Sequence, residues 1–271
     1  YHVAESSVEK GDISCIETPK WLAERCGWEA MLNARSDLAR AQKFMGLHKR
    51  VLLAAAPYDF DSYIQYIEWD RDPEKQFYMP RRKMLKQVVD EMQRLADDEL
   101  DILAISLPPG TGKSSLAIFY LTWLAGKIPD KPMLTGSHSN AFVRGVYDEC
   151  LRILDPRGEY LWKDVFPGVS VSNTNAKDCR IDLGARKRFE TLEFTSIGTG
   201  NAGLYRAATL LYCDDLVSGI EVALSKERLD KLWETYTTDL RQRKIGAMCK
   251  ELHIATRWSV HDVIGRLERE Y

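Results

Sequence analysis

The feature that most constrains this chain is an apolar strand that runs straight into a glycine-rich turn. The apolar residues 102–107 lead into Pro-Pro-Gly-Thr-Gly-Lys-Ser-Ser at 108–115, and a helical pattern begins there. Such a turn exposes successive backbone N–H groups, and the first turn of the helix adds the positive end of its dipole. Strand, turn and helix together predict a phosphate-binding loop.

The residue types in this loop match what a nucleoside triphosphate requires. Lys113 is expected to neutralise charge on the β- and γ-phosphates, and Ser114 to hold magnesium. Leu107 stands where the full pattern has its first glycine, so the match covers the core of the motif. We therefore predict ATP and Mg²⁺ as cofactors, with the remaining loop contacts supplied by Pro109, Gly110, Thr111, Gly112 and Ser115.

Composition excludes some classes of protein. With 271 residues and 45% apolar content the chain can bury a substantial core. A net charge of -2 argues against a uniformly basic nucleic-acid coat, although a local basic groove stays possible. The six cysteines include no Cys-x-x-Cys pair, so neither a zinc site nor a disulfide framework is predicted. We find no membrane-spanning run and no signal pattern, and expect an intracellular protein without membrane contact.

The hydrophobic pattern divides the chain into two parts. Apolar residues recur at helical spacing over 19–70, with breaks near Gly46 and Pro57, which predicts an N-terminal helical subdomain at 1–72. Strands then alternate with helices over 73–271, which predicts an α/β domain with a mainly parallel central sheet flanked by helices. Predicted strands lie at 101–107, 133–137, 191–196, 208–213 and 252–256, a polar hairpin at 169–183, and helices at 82–96, 140–154, 224–242 and from 261. The charged helical pattern at the end of the chain predicts a fragment of a longer protein.

An acid pair supplies the second half of a candidate ATPase site. Asp214 and Asp215 directly follow an apolar strand, and they come after the glycine-rich loop at ordinary domain spacing with another strand between. The first carboxylate is predicted to reach the magnesium shell, and the second to activate or orient the attacking water. The usual second acid is glutamate, so Asp215 must recover the shorter reach through its backbone position.

A second glycine-rich segment, at 198–203, fits the dinucleotide fingerprint by its letters. It precedes a strand and opens no helix, so we do not assign a dinucleotide site to it. We expect a loop beside the phosphates, with Arg206 near its end. His138, just after the second strand, is also expected near the nucleotide, whereas His253 lies on an apolar strand and is expected to be a core residue.

The order of five segments resembles the ATPase half of the large terminase subunit of tailed double-stranded DNA bacteriophages. The segments are PPGTGKSS, LTGSHSN, GTGNAGLYRA, LLYCDD and ATRWSVHDVIGRL, and the resemblance covers roughly 77–271. It implies a P-loop NTPase fold with an added central strand, and a packaging motor that moves double-stranded DNA into a procapsid in the host cytoplasm. No nuclease domain fits within this chain. Where many relatives have arginine-histidine and a histidine after the tryptophan, this chain has Gly110-Thr111 and Ser259.

The resemblance also implies roles for individual residues and partners. Thr256 corresponds to the coupling motif, and residues 110–115 and the acid pair correspond to the Walker A and Walker B motifs. The resemblance implies a homo-oligomeric ring whose partners are portal protein, small terminase subunit and double-stranded DNA. In such a ring Arg144 is the first candidate for an arginine finger, and Arg206 is the second. An upstream adenine-binding segment is implied, with Tyr78, Arg81, Arg82 and Gln87 as candidates.

Three other interpretations stay open on the sequence alone. An AAA+ ATPase shares the loop core but expects glycine at position 107 and a helical lid. A helicase needs a second RecA-like domain. A binding or scaffold protein that holds ATP without turnover is a third class, which the intact lysine, serine and acid pair disfavour.

Overall fold

The computed structural model describes residues 35–185, 187–198 and 205–271, and the side chains from residue 43 onward. Its helices are α1 (Arg35–Ala55), α2 (Phe60–Ile67), α3 (Arg82–Ala96), α4 (Lys113–Lys127), α5 (Asn140–Leu154), α6 (Trp162–Val165), α7 (Ile220–Ala223), α8 (Lys226–Thr235) and α9 (Val263–Glu270). Its strands are β1 (Ile102–Ser106), β2 (Met133–Ser137), β3 (Val171–Asn175), β4 (Arg180–Leu183), β5 (Leu192–Ser196), β6 (Leu210–Asp214) and β7 (Lys250–Ala255). The protein is therefore α/β, with helices alternating with strands as the sequence predicts.

The strands form one sheet of seven, in the order β1-β7-β6-β2-β5-β4-β3. The five strands from β1 to β5 in that order pair in parallel, and β3 and β4 form an antiparallel hairpin at one end. Because β7 lies between β1 and β6, the carboxyl ends of these three strands meet at one edge of the sheet. The register sets Ser137 opposite Asp214, Asp214 opposite Ile254 and Ala255 opposite Ser106.

Successive side chains of the central strands point to opposite faces of the sheet, so each face has a hydrophobic core. On β6, Tyr212 belongs to the larger apolar cluster, which includes α3, α4 and α5, whereas Leu211 belongs to a smaller cluster with Tyr236 and Leu267. Helix α4 is buried along most of its length. Both faces of the sheet are thus covered by helices, as a parallel sheet requires.

Helix α2 packs against α4, and α1 packs against α2. The indole of Trp123 donates to the backbone oxygen of Ala56 at 2.8 Å, and the hydroxyls of Tyr63 and Thr122 are 2.8 Å apart. Their buried residues belong to the same apolar cluster as α4. Residues 1–34 of the predicted helical subdomain lie outside the described residues. No helix in the described ranges is long and apolar enough to cross a membrane.

Most predicted elements agree with the structure, including the exact bounds of α3, β2 and α5 and the hairpin of β3 and β4. Two predictions are wrong. Helix α1 continues through Gly46, since the glycine penalty of about 1 kcal/mol is offset by burying Met45 and Leu52 on the same helix. The predicted helix at 224–242 is instead α8 followed by a π-helical turn (Tyr236–Leu240) and a 3₁₀ turn (Arg241–Arg243), which bury both Tyr236 and Leu240.

Candidate functional site

The glycine-rich loop, residues 107–112, joins β1 to α4. Gly110 and Gly112 adopt φ angles of +80° and +87°, a left-handed conformation that glycine reaches without strain. The Thr111 hydroxyl donates to the Pro108 carbonyl at 2.9 Å and tightens the turn. In the described structure no side chain caps α4, whose N-cap is Gly112. The first N–H groups of the helix are therefore available to an anion.

Gly112 is required for a second reason, which sequence analysis missed. A Cβ atom at this position would lie 2.4 Å from the ring of Phe77. That ring packs against Phe119 with 5.7 Å between centroids, and the guanidinium of Arg81 lies 5.2 Å from its centroid. An aromatic side chain thus holds the glycine-rich loop from the segment before α3, and no local motif marks it.

Lys113 is the first residue of α4 and its side chain is buried except for 9% of its surface. Its ammonium donates to the Thr256 hydroxyl at 2.6 Å and lies 3.7 Å from the Asp215 carboxylate. Lysine and threonine are 143 positions apart in the chain. They meet because β7, which ends just before Thr256, lies between β1 and β6. The structure therefore brings together three of the predicted catalytic residues.

Asp215 is held in an uncommon backbone conformation, with φ +39°. Its N–H donates to the Ile254 carbonyl at 2.9 Å, and its carboxylate accepts from the Thr256 N–H at 2.9 Å. Its carbonyl lies 2.6 Å from Nδ1 of His138. About a third of its side chain is exposed, at 30%. The carboxylate is thus fixed at the rim of the site, beside Lys113 and within reach of solvent.

Asp214 is fully buried at the end of β6. Its Oδ2 accepts from the Tyr212 hydroxyl, whereas Oδ1 has no hydrogen-bond partner among the described residues. Burial raises the pKa of this carboxyl to about 6, against the lowering effect of the Tyr212 and Ser114 hydroxyls. The opposing residue on β2, Ser137, also has a buried hydroxyl without a partner in the described ranges.

These oxygens fit a hard divalent cation. Mg²⁺ prefers oxygen ligands, commonly uses one or two carboxylates, and completes its shell with water and phosphate oxygens. The unpartnered Oδ1 of Asp214 and the nearby Ser114 hydroxyl supply such ligands from the protein. No group of three or more His, Cys, Asp or Glu that could hold a metal occurs in the described residues, so the rest of the shell would have to come from outside the protein.

Asp262 attaches the segment after Thr256 to the start of α9. The Asp262 carboxylate accepts from the N–H groups of Gly265 at 2.8 Å, Trp258 at 3.0 Å and Ser259 at 3.1 Å. A Cβ at position 265 would lie 2.6 Å from the Val260 carbonyl, so only glycine allows this close turn. Thr256 is therefore linked through a short, tightly bonded loop to the last helix.

The four candidate adenine residues fall in different surroundings. Tyr78 is fully buried and its hydroxyl donates to Asp61 at 2.5 Å; burial and the Asp61 charge raise its pKa. Arg82 binds the same carboxylate at 2.7 and 3.0 Å. Gln87 is exposed on α3. Arg81 contacts the ring of Phe77, which in turn packs against Gly112 of the glycine-rich loop.

The two candidate arginine fingers make contacts away from Lys113. Arg144 is exposed on α5, donates to the Ala176 carbonyl and lies 3.4 Å from Asp148. Arg206 donates to the Tyr205 carbonyl at 2.8 Å. The role of either in a neighbouring subunit stays a prediction. The second glycine-rich segment lies, from residue 199 to 203, outside the described residues.

A second buried acid lies on the other face of the sheet. Glu251 on β7 is fully buried and accepts from Lys244 at 2.7 Å, Tyr236 at 2.6 Å and Arg241 at 3.2 Å. His253 lies 3.2 Å from the same carboxylate, in agreement with its expected place in the core. Two of the three cations at 241–244 are therefore bound to an internal acid.

Comparison with known proteins gives no family for this chain. No protein-family model matches it, and no curated protein matches it at a significant level. The geometry of the site and the order of the motifs are therefore the features that indicate a function.

Proposed function

We propose that this chain is a magnesium-dependent P-loop ATPase, and that it is the motor domain of a phage terminase large subunit that drives double-stranded DNA into a procapsid. The observation that carries the ATPase proposal is the meeting of Lys113, Asp215 and Thr256 beside the buried Asp214. Four residues from three distant segments converge where a glycine-rich loop opens a helix. Convergence of this kind is unlike a chance glycine-rich turn.

The triphosphate would lie along the loop and the first turn of α4. Backbone N–H groups of residues 110–115 would bind phosphate oxygens, and Lys113 would neutralise the charge of the β- and γ-phosphates. When bound, Mg²⁺ would supply further charge neutralisation at the transferring phosphoryl group. Ser114 and Asp214 are the residues that would hold it.

Asp215 is suited to orient the attacking water. Its carboxylate is partly exposed, accepts a hydrogen bond from the Thr256 N–H and lies beside the Lys113 ammonium. A carboxylate in this position can accept a proton from water or align it for in-line attack. For this role the backbone conformation of Asp215 would have to provide the reach that its short side chain lacks.

Thr256 is suited to report the nucleotide state. Its hydroxyl accepts a hydrogen bond from the Lys113 ammonium. A γ-phosphate would compete for the same ammonium, so binding and hydrolysis would change what Thr256 contacts. The bonds of Asp262 would pass that change to α9.

The terminase assignment is supported by the motif order and by one feature of the sheet. The motif order from the glycine-rich loop to the Thr-Arg-Trp segment carries it, and the position of β7 between β1 and β6 agrees with the added central strand of that family. The proposal includes a homo-oligomeric ring in the host cytoplasm, with portal protein, small terminase subunit and double-stranded DNA as partners.

The ATPase proposal is tested by phosphate release from ATP with Mg²⁺. Lys113→Ala should lower turnover by about 10²- to 10³-fold, the usual effect of removing one preorganised charge from an active site. Lys127→Ala is the matched control, because it removes the same residue type from the other end of α4. Equal activity in wild type and Lys113→Ala would reject the proposal.

The terminase proposal needs a further measurement. Hydrolysis should be stimulated by double-stranded DNA together with procapsids that carry the portal. Stimulation by single-stranded DNA alone would favour a helicase-like ATPase. Hydrolysis that responds to neither would support the ATPase proposal and contradict the packaging-motor proposal.

A further inference from the structure

We infer that His138 is a positioning residue that holds Asp215 in the conformation needed to orient the attacking water. The inference rests on the proposed ATP hydrolysis at this site and adds to it a residue to which the sequence assigns no role. His138 follows β2 directly, and β2 pairs in parallel with β6 so that Ser137 is opposite Asp214. The residues that follow, His138 and Asp215, are consequently neighbours.

The contact between them has one chemical interpretation. Nδ1 of His138 lies 2.6 Å from the backbone carbonyl oxygen of Asp215. A carbonyl oxygen only accepts hydrogen bonds, so Nδ1 must carry the proton. The structure therefore assigns the Nδ1–H form to His138 and directs its donor at the peptide that follows Asp215.

Asp215 needs such a bond because its backbone is strained. A positive φ in a residue other than glycine costs on the order of 1–3 kcal/mol and persists only where the surroundings impose it. Three hydrogen bonds impose it here: from the Asp215 N–H to Ile254, from the Thr256 N–H to the carboxylate, and from His138 to the carbonyl. The first two use backbone donors. His138 is the one contributor of the three whose donor is a side chain.

The direction of the carboxylate depends on this conformation. If the Asp215 peptide relaxed to a negative φ, the carboxylate would turn away from the Thr256 N–H and from Lys113. A displacement of about 1 Å at a reacting group can cost on the order of 10²-fold in rate. His138 does not touch the nucleotide in this scheme and acts through Asp215.

The test compares two substitutions of His138. Asn carries an amide N–H close to the position of the Nδ1 donor, whereas Leu has a similar volume and no donor. We expect His138→Leu to lower kcat by about 10- to 100-fold with the Kd for MgATP unchanged. His138→Asn should recover most of kcat. Thermal unfolding of both variants checks that each is folded.

A measurement without turnover tests the contact itself. Nitrogen and carbon NMR shifts of the His138 ring distinguish the Nδ1–H from the Nε2–H tautomer in the nucleotide-free protein. We expect Nδ1–H, and Nε2–H would overturn the inference. Equal kcat in wild type and His138→Leu, or equal losses in the Asn and Leu variants, would also overturn it. If the wild type does not hydrolyse ATP, the proposed function fails and the positioning role fails with it, even where the tautomer is Nδ1–H.

Discussion

Two buried acids on neighbouring strands of one sheet have pKa values that are shifted in opposite directions. Asp214 on β6 and Glu251 on β7 are both fully buried, and they point to opposite faces. Burial raises the pKa of Asp214 to about 6. The pKa of Glu251 lies well below its ordinary range, because the hydrogen bonds from His253, Lys244 and Tyr236 outweigh its desolvation.

The difference lies in how many donors each carboxylate has. Glu251 is surrounded by two cations, a tyrosine and a histidine, and Arg241 also reaches the Tyr271 hydroxyl at 2.6 Å. Asp214 has one oxygen without a partner among the described residues. Burying a charge without partners is costly, so a fold retains such a group where something else completes it. The comparison indicates that the contacts of Glu251 stabilise the fold, whereas the open oxygen of Asp214 agrees with its proposed role as a magnesium ligand.

The first prediction concerns stability. Glu251→Gln should lower the free energy of unfolding by about 3 kcal/mol, because it leaves Arg241 and Lys244 without their buried counter-charge. Asp214→Asn is the matched control and should cost little, or stabilise, because it removes a desolvated charge. Urea unfolding with EDTA measures both. If the two variants lose similar stability, the comparison is wrong.

The second prediction is that the two variants have the opposite order for activity: Asp214→Asn should lose more ATP turnover than Glu251→Gln. Asp214→Asn should reduce ATP turnover by about 10²- to 10³-fold, as expected for removal of a charged ligand at the reacting centre. Glu251→Gln should keep turnover within a few-fold at a temperature where it is folded. The assay is phosphate release over a range of Mg²⁺ concentrations. Full activity of Asp214→Asn would exclude Asp214 as a magnesium ligand.

The third prediction uses pH in metal-free protein. Between about pH 4 and 6 folded Asp214 keeps a proton that the unfolded chain has released, so this residue makes the free energy of unfolding fall as pH rises, by roughly 3 kcal/mol in total. Glu251 acts in the opposite sense, since its lowered pKa gives stability above the unfolded value that is lost as pH falls. Unfolding curves from about pH 3 to 7 test this, with the Asp214 effect between about pH 4 and 6 and the Glu251 effect below about pH 4.5.

Each variant should remove one of the two pH effects. For Asp214→Asn, the free energy of unfolding should rise more steeply with pH than that of the wild type. For Glu251→Gln, the free energy of unfolding should fall more steeply with pH than that of the wild type. Parallel curves for wild type and Asp214→Asn would mean that Asp214 titrates normally.

The parts of this site that the sequence predicts are those with a local signal. The glycine-rich loop, the acid pair at a strand end and the bounds of α5 follow from spacing within about fifteen residues. The contacts of Phe77 with Gly112, His138 with Asp215 and Tyr236 with Glu251 depend on which strands are neighbours. Strand order is not encoded in periodicity, so these pairs could not be found. Tyr78 illustrates the same limit: a tyrosine at this position fits a base-binding role, yet its hydroxyl donates a hydrogen bond to Asp61.

The smallest expected effect comes from the tyrosine that accompanies each acid. Tyr212 donates to Asp214 and Tyr236 donates to Glu251, so Phe at either position removes one hydrogen bond to a carboxylate with little change in volume. Each should cost about 1.5–3 kcal/mol in metal-free protein at neutral pH. Mg²⁺ with a non-hydrolysable ATP analogue should restore part of the loss in Tyr212→Phe, because a cation offsets the charge of Asp214. It should stabilise Tyr236→Phe no more than wild type, since Glu251 has no open oxygen for a cation. Thermal unfolding measures both effects. If Mg²⁺ and the analogue stabilised the two variants equally, Asp214 and Glu251 would not differ in their access to a cation.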